Sequence, residues 1–249
     1  MRCSRPSWSR RRRGEALRGL DETGCLAAEL ESHGFAQTRG VLDAAELVAL
    51  APLFDELGSH PGKRDGLAQP ALAEYAEVLA AHPTVQALVG EPAVCVRAIL
   101  FNKRDGQVNW RVAPHRDRFV PLARRSSDSR LRAWSVKHGV LYAMAPAGEL
   151  ARMISLRVSL DSVRAESGGL EVWPGSHKDA AGAMEEGEEW SQAISAEVGL
   201  GPGDGLLFRP LLVHASRAAK GAGSRRTLHL EFGPASGCCG VAWNANWAC

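Results

Sequence analysis

In the first third of the chain the apolar positions recur at helical spacing. Asp43 followed by Glu46 makes a capping-box pattern, and Leu47, Leu50, Leu53, Phe54 and Leu57 then share one face. A second helix is predicted over Pro70–Ala81, where Pro70 fits the first turn and Leu72, Tyr75 and Leu79 repeat at the same interval. Leu26–His33 reads as a shorter helix closed by Gly34, the residue type that best tolerates a left-handed cap. The polar stretch His60–Gln69 reads as a loop.

From about residue 94 the period falls to two. Val94–Lys103 is apolar and β-branched enough for a strand. Ile154–Val163 alternates, with Ile154, Leu156, Val158 and Leu160 on one side and Ser155, Arg157, Ser159 and Asp161 on the other. Leu170–Trp173 is a strand closed by the turn Pro174-Gly175-Ser176, and Gly205–Ser216 reads as one further strand. Arg225–Phe232 alternates again, Arg225, Thr227, His229 and Glu231 against Arg226, Leu228, Leu230 and Phe232. Helices first and strands afterwards predict an α+β fold, an antiparallel sandwich or barrel with helices on one side. Residues 178–195, acidic and Ala-rich, read as a surface helix or loop between strands.

Composition narrows the picture. A chain of 249 residues with 45% apolar content is compatible with one large soluble domain. The 30 basic and 28 acidic residues leave a net charge of +2, so the molecule as a whole is no polyanion binder. No apolar run approaches the roughly 18 residues of a membrane span. The first 14 residues hold six arginines, no acid and no apolar period. They read as a basic, disordered leader; a nucleic-acid arm or an organellar targeting segment would share that composition. Cys3, Cys25, Cys95, Cys238, Cys239 and Cys249 form no C-x-x-C pair, and a scattered set fits a reducing, cytoplasmic compartment.

The chemistry gathers at His115-Arg116-Asp117. In extended backbone, residues two apart point the same way, so the imidazole and the carboxylate can grip one ion together. His214, after the apolar run Leu211-Leu212-Val213, is the candidate for a third ligand. Two histidines and one carboxylate on one face leave open positions on Fe(II), the arrangement that O2 chemistry needs. Arg225 stands eleven residues after His214, beyond the glycines Gly221 and Gly223. A guanidinium pointing into a barrel needs a carboxylate to meet it, and the far end of 2-oxoglutarate would serve. Arg226 falls on the opposite face and is expected in solvent. His177 reads as a turn residue making a structural hydrogen bond. His229 reads as a pocket wall or a hydrogen-bonded core histidine. Lys103, Lys137, Trp110 and Trp134 could line a pocket or serve solvation and packing alone.

An ordered series of motifs carries a resemblance. Phe101–Asp117 (F-N-K-R-D-G-Q-V-N-W-R-V-A-P-H-R-D), Trp134–Lys137, Leu156–Asp161, Gly168–His177 (G-G-L-E-V-W-P-G-S-H) and the His214 to Arg225 spacing resemble the phytanoyl-CoA dioxygenase superfamily, from about Gly34 to Phe232. The resemblance implies a double-stranded β-helix, a cupin-like jelly roll with the N-terminal helices packed on one sheet. Residues 15–249 would form one domain, helical to about 93, jelly roll over about 94–233, and a tail over 234–249. It implies Fe(II) held by His115, Asp117 and His214, with 2-oxoglutarate anchored by Arg225 and touched by Ser216 and Arg157. The implied reaction consumes O2 and 2-oxoglutarate, releases succinate and CO2, and hydroxylates or otherwise oxidises a small-molecule substrate. No membrane or nucleic-acid partner is expected. Residues 118–150 are expected to form a lid.

Three departures stand out. Arg116 replaces a frequent Gln and could alter the metal's surroundings or meet an anionic substrate. The usual E-N-G turn is Glu166-Ser167-Gly168, and the cysteine-bearing tail looks unlike the family. Asp117 is retained, which disfavours the halogenating variants that lose this carboxylate. Two other readings remain: a cupin-like metalloenzyme that does not use 2-oxoglutarate, and a barrel that binds metal or a small molecule without turnover.

Overall fold

Gly34 closes helix α1 (Thr23–His33) in the left-handed conformation, φ 84°, and its N–H returns to the Leu30 carbonyl. A Cβ at this position would lie 2.5 Å from the His177 ring, so both the backbone and the packing require glycine. The structure is a computed structural model. It describes residues 20, 22–58, 60–104, 109–164, 167–178, 190, 194–220 and 224–245. The arginine-rich leader, Cys3, Cys249, Glu166, Gly221, Gly223 and most of the acidic segment 178–195 lie outside the described residues.

Strand β1 (Phe35–Thr38) follows α1, and helix α2 (Ala44–Asp55) comes next. Its capping box forms as the spacing predicts: Asp43 accepts from the Glu46 N–H at 2.9 Å, and Glu46 accepts from the Asp43 N–H at 2.8 Å. Such a cap contributes about 1 kcal/mol. The expected loop His60–Gln69 contains strand β2 (Gly62–Lys63) and a 3-10 turn, Gly66–Ala68. Helices α3 (Pro70–Ala80) and α4 (Pro83–Val89) complete this layer. α4 escaped the periodicity because seven residues show too little of one. Its signals were Pro83 in the first turn and a left-handed Gly90 after the last.

The remaining strands are β3 (Ala93–Arg104), β4 (Val112–His115), β5 (Phe119–Pro121), β6 (Arg132–Lys137) and β7 (Val140–Met144), then, after helix α5 (Ala147–Leu150), β8 (Ile154–Ser159), β9 (Leu170–Val172), β10 (Ala196–Val198), β11 (Gly205–Phe208), β12 (His214–Ser216) and β13 (Ser224–Pro234). They form a six-stranded sheet, β1-β11-β8-β13-β3-β2, and a four-stranded sheet, β10-β9-β12-β4, with antiparallel pairings throughout. The fold is α+β, a jelly roll with helices against the larger sheet. Leu50, Phe54, Leu72 and Leu79 pack on Leu156, Val158, Leu228 and Leu230. Between the sheets, Leu206 and Phe208 meet Leu170 and Val172.

Two strand readings need correction. The segment Gly205–Ser216 is two strands in different sheets, because Pro210 offers no N–H to a ladder and the chain turns there. Strand β8 stops at Ser159, and both of its faces are buried. Its polar side faces the barrel interior, where function rather than solvent sets the residue type. Residues 118–150, expected as a lid, form their own three-stranded sheet, β5-β7-β6, together with α5. The tail bridges to it, with Leu122 opposite Trp243. Among the described residues, no helix is long and apolar enough to cross a membrane.

Candidate metal centre

β4 delivers His115, and Asp117 follows two residues later, fixed by its N–H to the Pro210 carbonyl at 2.8 Å. β12 opens with His214, which lies directly across from His115 in the antiparallel register. The two rings sit 4.3 Å apart between centroids. Nε2 of His115 is 3.8 Å from Oδ1 of Asp117, and Nε2 of His214 is 3.6 Å from Oδ2. One ligand atom from each of the three lies within 4.8 Å of the others.

The backbone orients both rings. Nδ1 of His115 lies 2.9 Å from the Ala113 carbonyl, and Nδ1 of His214 lies 3.0 Å from the Leu212 carbonyl. Carbonyl acceptors place the proton on Nδ1, so the Nε2 lone pairs face the shared space. Burial pushes the His214 imidazolium down to about 4 despite the attraction of Asp117, leaving the neutral, ligating form. Burial works against the Asp117 charge, but His214, His229, His115 and Arg97 outweigh it and hold the carboxyl well below its usual range. Two nitrogens and one oxygen on one side fit a first-row divalent metal with its other side open.

Arg225 enters the same space from β13 in the opposite sheet. It is buried, its Nη2 donates to the Ser216 hydroxyl at 3.3 Å, and its Nε has no partner among the described residues. Burial pushes the guanidinium down to about 10. Lys103 pairs with Arg225 in the ladder, and its Nζ donates to the same Ser216 hydroxyl at 2.9 Å and to the Arg217 carbonyl at 2.6 Å. Burial, then Arg225 and Arg157, bring this ammonium down to about 7. Arg157 on β8 is buried 5.1 Å over the Phe101 ring; burial and Arg225 push it down to about 9, with Asp117 opposing. Among the described residues, Asp117 is the carboxylate that acts on this trio, and it acts on Arg157. Ser216 completes the cradle by donating to the Gly168 carbonyl at 3.1 Å.

His115, Asp117, His214, Ser216, Arg225 and Arg157 therefore line one cavity of about 330 Å³. Arg116 lines the same cavity and is held by the backbone beside it. It is buried, donates from Nε to the Leu211 carbonyl at 2.9 Å and from Nη2 to the Ser176 carbonyl at 3.1 Å, and lies 5.4 Å from the Trp190 ring centre. It braces the turn before β12. His177 makes the expected structural contact, with Nε2 3.2 Å from the Glu31 carbonyl. Arg226 is not simply solvated: its guanidinium and its N–H both donate to Asp161.

Sequence reasoning missed one chain of residues. Arg97 pairs with Glu231, Glu231 lies 3.1 Å from Nε2 of His229, and that nitrogen is 3.9 Å from Asp117. Asp117, His229 and Glu231 also group closely enough to hold an ion, but Glu231 is already neutralised by Arg97. The signal was present in the alternation of β13, whose polar face of Arg225, Thr227, His229 and Glu231 is buried throughout.

Residues 30–227 match the family described as phytanoyl-CoA dioxygenase (PhyH). The chain belongs to the phytanoyl-CoA dioxygenase family. Among solved structures it is similar to the alpha ketoglutarate dependent epimerase SnoN from nogalamycin biosynthesis, at 20% identity and a TM-score of 0.62 over 86% of this chain and 83% of that one. SnoN in complex with Fe3+, alpha ketoglutarate and nogalamycin RO matches with a TM-score of 0.63, at 20% identity over 86% of this chain and 84% of that one. HygX from Streptomyces hygroscopicus with nickel and 2-oxoglutarate bound matches at 20% identity and a TM-score of 0.57, over 84% of this chain and 85% of that one. No curated protein matches the chain at a significant level. Family membership agrees with the motif series from Phe101 to Arg225, and the structural likeness agrees with the jelly roll.

Proposed function

We propose that this member of the family is an Fe(II)- and 2-oxoglutarate-dependent oxygenase acting on a small molecule. The observation that carries the reading is a pairing inside one cavity. A two-histidine, one-carboxylate set opens from one sheet, and a buried Arg225 with an unpartnered Nε projects from the other. A dicarboxylate that reaches both would satisfy the orphan nitrogen and the metal together. SnoN and HygX, each solved with a metal and this co-substrate, support the choice of ligand.

His115, Asp117 and His214 would hold Fe(II), with Nδ1 protons locked on carbonyls so that the ligating nitrogens stay free. When bound, the metal and co-substrate supply oxidation by O2, with release of succinate and CO2. Arg225 would bind the distal carboxylate, Lys103 would add charge beside it, and Ser216 would orient both cations. Arg157 would meet the co-substrate from β8 while Phe101 holds its guanidinium plane. Burial of this cradle excludes the water that would otherwise screen those contacts.

The test begins without oxygen. Fe(II) followed by 2-oxoglutarate is titrated into the protein and followed by ultraviolet-visible absorption, and His214→Ala and Asp117→Ala serve as controls. Oxygen and pools of small metabolites are then added, and succinate is measured. Succinate release covers hydroxylation and epimerisation alike, which matters because SnoN is an epimerase. Failure of 2-oxoglutarate to bind the Fe(II) form would leave the metalloenzyme that does not use this co-substrate as the better reading.

A further inference from the structure

Seven side chains lining the cavity are cationic and one, Asp117, is anionic. Several of the cations already have work. Arg97 is paired with Glu231, and Arg116 is engaged by carbonyls and an indole. Arg157 and Arg225 face the co-substrate on the functional reading above. The metal, Arg157 and Arg225 already outweigh the charge of Asp117 and a dicarboxylate, and Lys103 adds further positive charge behind them. Arg64, Arg118 and Lys137 remain, and none of their side chains has a hydrogen-bond or ion-pair partner among the described residues.

These three come from separate elements. Arg64 follows the edge strand β2, Arg118 follows the metal-binding carboxylate, and Lys137 ends β6 of the small sheet with its Nζ 5.4 Å from the Phe119 ring centre. Exposed arginines and lysines are ordinarily dispersed in solvent among acids of opposite sign. Here they converge on one opening in which Asp117, beside the two histidines, is the one acid among the described lining residues, and Phe101, Trp110, Phe119 and Leu170 make the wall between. Like charges gathered around a low-dielectric cleft focus a positive potential into it and attract anions.

We propose that the prime substrate is an anion, a small molecule with a flat apolar body whose carboxylate or phosphate is held at the cavity mouth by Arg64, Arg118 and Lys137. The proposal rests on the oxygenase reading for which side of the cavity the co-substrate fills. The apolar wall takes the body, and the three cations hold the charged end away from the metal. The carbon to be oxidised then faces His115 and Asp117 while the anionic group stays at the rim.

The test uses equilibrium dialysis under nitrogen of the full chain loaded with Fe(II) and 2-oxoglutarate. The probes are 1-naphthyl phosphate, 1-naphthoate and neutral 1-naphthol, which share one ring system. The anions are expected to bind about tenfold more tightly than 1-naphthol, with the advantage shrinking as salt rises. In Arg64→Gln/Lys137→Gln, two exposed changes that threaten no core contact, anion affinity is expected to fall about tenfold while 1-naphthol affinity changes less than about twofold. Arg118→Gln should repeat the effect independently. Tighter binding of the phosphate or of the carboxylate identifies which anion the mouth prefers. Equal affinity of all three probes, or variants that bind the anions as well as the parent does, would overturn the proposal. Retention of 2-oxoglutarate is scored in the same cells. Its loss sinks the oxygenase reading alone, since the preference for anions over 1-naphthol and its sensitivity to the two variants still decide the mouth.

Discussion

Lys103 and Arg225 sit opposite each other on neighbouring strands and share one serine hydroxyl, an arrangement that is costly until an anion arrives. Arg225→Ala is expected to weaken 2-oxoglutarate binding by about 2–4 kcal/mol, the loss of a desolvated charge-assisted contact. Lys103 adds a pH dependence with a definite sign. Its ammonium, near 7 in the free protein, is present below that pH and is lost above it. Co-substrate affinity should therefore fall as pH rises through about 7, and Lys103→Met should flatten the profile; calorimetric titration across that window checks both. At this scale the sequence was informative wherever residues two apart had to share a face, as in His115 and Asp117. It was uninformative for Arg116, whose carbonyl partners lie 95 and 60 residues away.

Strand β13 shows what alternation can and cannot settle. It separates Arg225 from Arg226 correctly, and the outward residue then closes on Asp161, two residues beyond β8. Arg226→Ala is expected to leave 2-oxoglutarate affinity unchanged and to cost less than about 1 kcal/mol in denaturant melts, as for a partly exposed ion pair. An effect on the co-substrate as large as that of Arg225→Ala would mean that the face assignment is wrong. Alternation alone could not show that the polar face of β8 is buried, nor that Pro210 divides an apolar run between two sheets. The tail gave no pattern at all, because its role is one of contact. Trp243 donates to the Pro234 carbonyl at 2.6 Å and packs with the cluster of Val120, Leu122 and Val241 under the small sheet. Trp243→Ala should cost about 2 kcal/mol, roughly half the value for a fully buried indole. The loss should appear as faster proteolysis within 118–145.

For the molecule as a whole, the order of motifs made the jelly roll and its candidate metal centre legible, since each motif fixes a strand end on one cavity. The third layer formed by 118–150 was not legible, because short strands that pair only with one another carry little period. The buried cations also set a balance between stability and binding. Lysine in the unfolded chain titrates near 10.5 and Lys103 in the fold near 7, so between those values the unfolded state holds more protons and stability rises with pH. Below 7 the full cost of burying the charge is present. Lys103→Met should accordingly raise the unfolding temperature of the ligand-free protein at pH 6, and should reduce the further rise that Fe(II) and 2-oxoglutarate bring.

The candidate ligands and Arg225 stand on opposite sheets, and the spacing of those sheets is set by Leu206 and Phe208 against Leu170 and Val172. Such a barrel behaves as a caliper with a fixed jaw opening. Oxaloacetate, one methylene shorter than 2-oxoglutarate, and 2-oxoadipate, one methylene longer, carry the same charges but cannot touch both jaws without strain. Each is expected to bind at least about tenfold more weakly, from one misplaced charge-assisted contact. Competition against 2-oxoglutarate measures this directly, and Phe208→Leu, which loosens the jaws, should shrink the penalty. Length, more than charge, is then what the centre reads in a dicarboxylate.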